Sequence, residues 1–215
     1  MRPPNNTRIL LVCEGEKDEL FFRRFIDANN LHHLGICIWP SHGNSKFAEA
    51  IIGFEAEYGP KYRLLRAVLI VADKNDAADE RLESVYQQIE QIHGEGSRPT
   101  GIMEPSNSGQ PRIYVLMLPT HQDAGHLESQ CIHAARRADA AAATMTDAVT
   151  AVAHADQWNS QSRRDKHWLR TNLTLRGLDA FRPLGDAFHV PRFHGLIPAT
   201  DGAFAGVLEA LQRLP

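Results

Sequence analysis

Glu14 stands directly after "RILLVC" and Asp73 directly after "AVLIVA", two uninterrupted apolar runs of the kind that form buried parallel strands. In an open parallel sheet, side chains just beyond neighbouring strand ends converge on one crevice, and ligands bind there. Two carboxylates meeting in that crevice repel, which raises a pKa unless a cation lies between them. Magnesium suits such a pair, since it takes oxygen ligands and keeps waters beside one or two carboxylates; manganese takes similar donors. An ion of this kind acidifies a bound water and stabilises charge on a phosphate undergoing displacement. A second reading needs no metal. Glu16, Asp18 and Glu19 follow Glu14 where a helix would begin, and the helix dipole favours acids there. Asp73, Asp76 and Asp79 equally fit turn or cap positions. Spacing alone leaves both readings open.

The elements that must position these acids follow from periodicity. After the first strand, a helix from about Asp18 to Ala28 carries Phe21, Phe22, Phe25 and Ile26 on one stripe. "GICIW" reads as a second strand, and a helix after "SHGNSK" places Phe47, Ala50, Ile51, Phe54 and Tyr58 at helical spacing. "AVLIVA" is the third strand. It empties into "DKNDAADE" and a helix stacking Leu82, Val85, Ile89 and Ile92. Residues 93–111, rich in Gly, Pro, Ser and Asn, read as a long surface loop, and "IYVLML" is a fourth strand. Alternating strands and helices imply a parallel α/β sheet with right-handed crossovers. Beyond Leu127 the pattern turns helical. The alanine-rich stretch is one long helix or a helical pair. "RRDKHWLRTNLTL" directs Trp168, Leu169 and Leu173 inward, and the last helix packs Phe204, Val207, Leu208 and Leu211.

Other residues compete for chemical roles. In "SHGNSK", backbone amides and Lys46 are a candidate phosphate contact; the alternative is an ordinary helix cap at Asn44 or Ser45. Arg163, Arg164, Lys166 and Arg170 fit a nucleic-acid channel, or else one solvated helix face. His121 and His126 lie near Asp123 and Glu128, but structural zinc calls for four well-spaced ligands, and no cysteine is near. Cys13, Cys37 and Cys131 are odd in number and widely spaced, so they read as small core residues in a reducing compartment.

A net charge of −3 argues against a protein that coats nucleic acid through its whole surface, while leaving room for a local basic groove. The N-terminal "MRPPNNTR" lacks the apolar core of a secretion signal, and no apolar run is long enough to cross a bilayer. A cytoplasmic protein without a membrane association is expected.

"LLVCEGEKDELFF" resembles the opening of a TOPRIM domain, the fold shared by type IA and II topoisomerases, bacterial primases and overcoming-lysogenization-defect (OLD) nucleases. There an apolar strand ends in Glu-Gly with an Asp three residues on, here Glu14, Gly15 and Asp18. The second TOPRIM signature, a strand ending Asp-x-Asp, is approximated by Asp73, Lys74 and Asn75. "LMLPTHQDAGHLES" is similar to the Pro…Gly-x-Leu-Glu segment of small stand-alone TOPRIM-like proteins of uncharacterised function, through Pro119, Gly125, Leu127 and Glu128. The resemblance spans about residues 8–130.

It implies a Rossmann-like TOPRIM sheet over residues 1–130, with a helical C-terminal extension, 131–215, packed on the same domain. By resemblance, Glu14 is a metal ligand or general base and Asp73 the principal metal ligand. Asn75 and Asp76 complete the shell, and Glu128 supplies a further carboxylate. Asp18 caps the first helix, the alternative being to orient Glu14 through a water. Lys166 matches a basic residue often found in the tail of small TOPRIM-like relatives. The implied activity is magnesium- or manganese-dependent hydrolysis of nucleic-acid phosphodiesters, as a nuclease in an antiphage or DNA-processing system. One departure matters: Asn75 stands where the pattern has its second Asp, and a neutral amide binds magnesium less well than a carboxylate. That departure favours the alternative of a degenerate-site nucleic-acid or nucleotide-binding subunit partnering an ATPase. A third alternative, a phosphatase or receiver-like domain, predicts an aspartyl-phosphate at Asp73. The Glu14-Gly15 pair speaks against it.

Overall fold

The computed structural model describes residues 4, 6–43, 45–180 and 182–215. β1 (Ile9–Cys13), β2 (Ile36–Pro40), β3 (Ala67–Asp73) and β4 (Arg112–Leu118) form one sheet in the order β2-β1-β3-β4, every pair parallel. The strands are apolar and almost wholly buried because helices cover both faces, as a parallel sheet requires. The α/β architecture with helices at its C-terminal end is as the sequence predicts. Strand order reverses direction between β1 and β3, so the crevice beyond their carboxyl ends is the topological switch point.

The helices are α1 (Glu16–Ala28), α2 (Phe47–Tyr62), α3 (Ala78–His93), α4 (Leu127–Ala138), α5 (Ala140–Val152), α6 (Gln161–Leu175), the short α7 (Asp186–His189) and α8 (Ala205–Gln212). α2 bends at Tyr58, two residues before Pro60, whose ring cannot continue a straight helix. On one side of the sheet, Leu10, Val12, Val68 and Ile70 pack beneath α2 and α3. On the other, Leu11, Leu69 and Leu116 meet α1 and residues of the C-terminal helices, among them Leu173, Phe204 and Leu211. Phe21 sits at the hub of that second layer, its ring 5.1 to 5.6 Å from those of Phe22, Phe25, Phe188 and Phe204. The three cysteines are free and buried, as small core residues are expected to be.

One alternative left open by the sequence is settled and one expected cap is not found. The alanine-rich stretch is a helical pair. It breaks at Asp139, whose backbone is extended and whose carboxylate accepts the Ala142 N–H at 2.9 Å, capping α5. The cap expected in "SHGNSK" is not at Ser45, and Asn44 lies outside the described residues. Lys46 instead occupies the capping position before α2, with no side-chain cap hydrogen bond. Gln88 on α3 accepts the Phe47 and Ala48 amides at 2.8 and 3.3 Å, so a neighbouring helix satisfies those donors.

Candidate functional site

Four acids gather at the switch point, each delivered by a strand end or a helix start. Glu14 is the first residue after β1, and its Oε1 accepts the Asp73 backbone N–H at 3.2 Å. Two acids 59 positions apart in sequence are therefore neighbours, the side chain of one meeting the backbone of the other. Asp73 ends β3, and its Oδ1 accepts the Leu127 N–H at 2.9 Å. Leu127 opens α4, so Asp73 lies against the positive end of that helix. Glu128 follows one residue later. Asp18, in the first turn of α1, accepts the Gly15 N–H at 3.0 Å, which is the capping role expected of it.

Asp18 does more than cap. Burial, followed by Glu128 and Glu14, pushes its carboxyl from 3.8 up to about 7. The Asp73 carboxyl is held well above the usual carboxylate range by burial first, then by Glu14, Asp18 and Glu128. The Leu127 amide pulls the other way and loses. These four carboxylates thus share one low-dielectric space with too little positive charge to balance them.

Arg81 supplies part of that charge, and sequence reasoning missed it. It is only 8% exposed, and its Nη2 lies 2.9 Å from Glu14 Oε1. The guanidinium also sits 5.4 Å from the centre of the Phe47 ring. The signal was legible in the register: Arg81 precedes Val85 by four residues, placing an arginine on the buried stripe of α3. A buried arginine needs an acid, and Glu14 is that acid.

The remaining expected residues divide. Asn75, at φ +55°, exchanges backbone hydrogen bonds of 2.8 and 2.9 Å with Gly125, tying the β3 exit loop to the segment before α4. Gly125 is required there: at its φ of +123° a Cβ would stand 2.6 Å from Ser129 Oγ. Asp76 is exposed on the same loop. Among the described residues, no three His, Cys, Asp or Glu side chains form a ready-made metal cage. The donor set still fits a hard divalent ion, which needs only one or two carboxylates and fills its other positions with water.

A family model described as "Protein of unknown function (DUF3226)" matches residues 8–185. The chain belongs to the DUF3226 family. The comparison with curated proteins returns no match. Among solved structures, a hypothetical protein from Pyrococcus horikoshii OT3 aligns at TM-score 0.59 with 15% identity, covering 97% of this chain and 99% of that one. This likeness supports a shared fold. The C-terminal region of the OLD protein of Xanthomonas campestris pv. campestris aligns at TM-score 0.42 and 13% identity, covering 97% and 96% of the two chains. Shared topology does not follow from a likeness that loose.

In this DUF3226 chain the basic window on α6 is not one patch. Lys166 Nζ lies 3.8 Å from Glu128 Oε1, so it faces the acid group. Arg164 turns away, donating to Gln161 Oε1 at 2.6 Å and to the Trp158 carbonyl. Arg163 is exposed. Asp165, buried between them in sequence, accepts from Ser129 Oγ and from Gln161 Nε2 at 2.5 Å, which anchors α6 to the start of α4. Lys46 lies elsewhere, on the rim of a groove bounded by α1, β2 and α2. Among the described residues no helix is long and apolar enough to cross a membrane.

Proposed function

We propose that the chain is a TOPRIM-like, metal-dependent hydrolase of nucleic-acid phosphodiesters, working with magnesium or manganese at the Glu14–Asp73 crevice. The observation that carries this reading is the meeting of those two acids at the switch point, Glu14 Oε1 lying 3.2 Å from the Asp73 amide. The motif resemblance around Glu14, Asp73 and Glu128 supports it, as does the excess of buried negative charge.

Asp73 and Asp18 are the carboxylates most in need of a cation; Asp73 with Glu14 would hold the ion, water filling its other positions, and Glu128, Asn75 and Asp76 are the further candidate ligands. A bound divalent ion supplies Lewis-acid charge and an acidified water. The protein's own residues do the rest. Arg81 and the Asp73 amide fix the orientation of the Glu14 carboxylate, so that it can take a proton from an attacking water. Lys166, which is 45% exposed beside Glu128, is free to swing toward a leaving oxygen and neutralise it. Arg163 is placed to meet the nucleic-acid backbone farther out; Arg164, already committed to Gln161, contributes only by giving up that bond.

The second reading, a degenerate-site nucleic-acid or nucleotide-binding subunit partnering an ATPase, is favoured by Asn75 in place of an acid. One experiment separates the two. Labelled single- and double-stranded DNA and RNA are incubated with protein across a magnesium and manganese titration. Cleavage that falls by at least about 100-fold in both Glu14→Gln and Asp73→Asn supports the hydrolase. Absent cleavage with undiminished binding in both variants sinks it in favour of the binding subunit.

A further inference from the structure

Beside the acid crevice, across the first turn of α1, lies a groove of about 840 Å³ that none of the roles above uses. Its wall is tied to the crevice through the backbone. The loop after β2 donates two backbone hydrogen bonds to the loop after β1, from Ser41 N to Cys13 O at 2.8 Å and from Gly43 N to Glu14 O at 2.9 Å. Trp39, at the end of β2, is half-buried in the groove wall between Ile38 and Pro40. Its indole is locked by edge-on contacts with Phe54, centroids 5.3 Å apart, and Tyr58, at 6.0 Å. An aromatic ring immobilised in this way and partly exposed in the groove lining loses little entropy when a flat ligand packs on it.

Charge decides what kind of ligand fits. Glu16, Glu19 and Glu49 line the groove, against Arg23 and Lys46. Arg23 is bound to Glu19 at 2.6 Å, and Lys46 stands exposed at the rim. Glu16, Glu19 and Glu49 repel a phosphate backbone along most of the groove, and Lys46 accepts one beside it. Carboxylates are pure acceptors, matched to the amino and imino N–H groups on a nucleobase edge. We infer that this groove receives an unpaired nucleobase of the substrate strand, stacked on Trp39, with its backbone phosphate at Lys46 and the neighbouring phosphate in the acid crevice. The inference rests on the nucleic-acid reading proposed above and narrows it: a base inside a duplex is held in its stack and cannot enter, so the substrate is single-stranded or frayed at this position.

The test uses binding alone, with calcium in place of magnesium or manganese and with the strands checked to be intact afterwards, so it does not depend on cleavage. Fluorescein-labelled single-stranded oligonucleotide, blunt duplex, and a strand of the same length without bases are titrated by anisotropy. The wild type is expected to bind the normal single strand best and to lose roughly 5- to 150-fold for the baseless strand, the loss of one stacked base. Trp39→Ala is expected to weaken binding of the normal strand by a similar factor while leaving the baseless strand unchanged. Trp39→Phe, which keeps a ring against Phe54 and Tyr58, retains part of the affinity and loses the oligonucleotide-induced quenching of indole fluorescence. Lys46→Ala lowers affinity for both single strands and reduces the salt slope by about one. Equal affinity for duplex and single strand, or for strands with and without bases, overturns the inference. So does a Trp39→Phe variant that quenches like the wild type. Cleavage with normal Glu14 and Asp73 dependence but no Trp39 effect removes the groove and leaves the hydrolase. A Trp39 effect without any cleavage does the reverse.

Discussion

Asp18→Asn is expected to stabilise this protein by an amount that grows as pH rises from about 4 to about 8. The wild-type carboxyl is pushed from 3.8 to about 7 by burial and by Glu128 and Glu14. An asparagine keeps an oxygen for the Gly15 N–H, now 3.0 Å from Asp18 Oδ2, so the α1 cap survives. A shift of about three units at 1.36 kcal/mol per unit sets a ceiling of about 4 kcal/mol. Asp18 is partly exposed and the amide also has to be desolvated, so about 1–3 kcal/mol is the realistic gain. The sign follows from proton counting. Between pH 3.8 and about 7 the folded protein keeps a proton that the unfolded chain has released, so wild-type stability falls as pH rises through that window. The variant has no such slope. Urea unfolding followed by circular dichroism, with chelator present, should show a difference near zero at about pH 4 that grows to its full size by about pH 8. Magnesium should then close the gap, since an ion bound only to the folded wild type stabilises it by about 2.7 kcal/mol at a hundred times its Kd. A gain that is the same at both pH values, or a loss at about pH 8, refutes the view that these acids are electrostatically frustrated. A full gain indifferent to magnesium keeps the frustration and removes the ion.

Arg81→Met should cost about 2–3 kcal/mol at neutral pH, below the usual 3–5 for breaking a buried pair because the Glu14 side chain is 21% exposed. In the double variant with Glu14→Gln much of that loss should return, and a denaturation midpoint unchanged in Arg81→Met would show that the pair carries no net coupling. Phe21→Ala, at a fully buried position touching Phe188 and Phe204 as well as its own helix, should cost about 3–5 kcal/mol. Thermal melts read by near- and far-ultraviolet circular dichroism should move together, and two separated transitions would mean that residues 131–215 unfold apart from the sheet.

The sequence by itself determined the local elements around the acids. Short apolar runs closed by polar loops specify buried parallel strands, and the three-and-four spacing of Phe21, Phe22, Phe25 and Ile26 specifies the buried face of α1. Strand ends at Glu14 and Asp73 were legible for the same reason: the change from apolar to charged marks where burial stops. Asp18 was read as a cap because a cap depends on residues three apart. Tertiary structure alone decided the rest. Arg81 meets Glu14 across 67 positions, and Asp165 meets Ser129 across 36, contacts that no local period encodes. Charge on Asp18 and Asp73 is set by burial and by carboxylates from separate elements, and electrostatic energy depends on distance and dielectric, quantities the linear chain does not carry. For the same reason the run of basic residues on α6 divided into one lysine facing the acids, one arginine tied to Gln161, one tied to the Arg182 carbonyl and one in solvent, because a helix turns neighbours in sequence toward different surroundings.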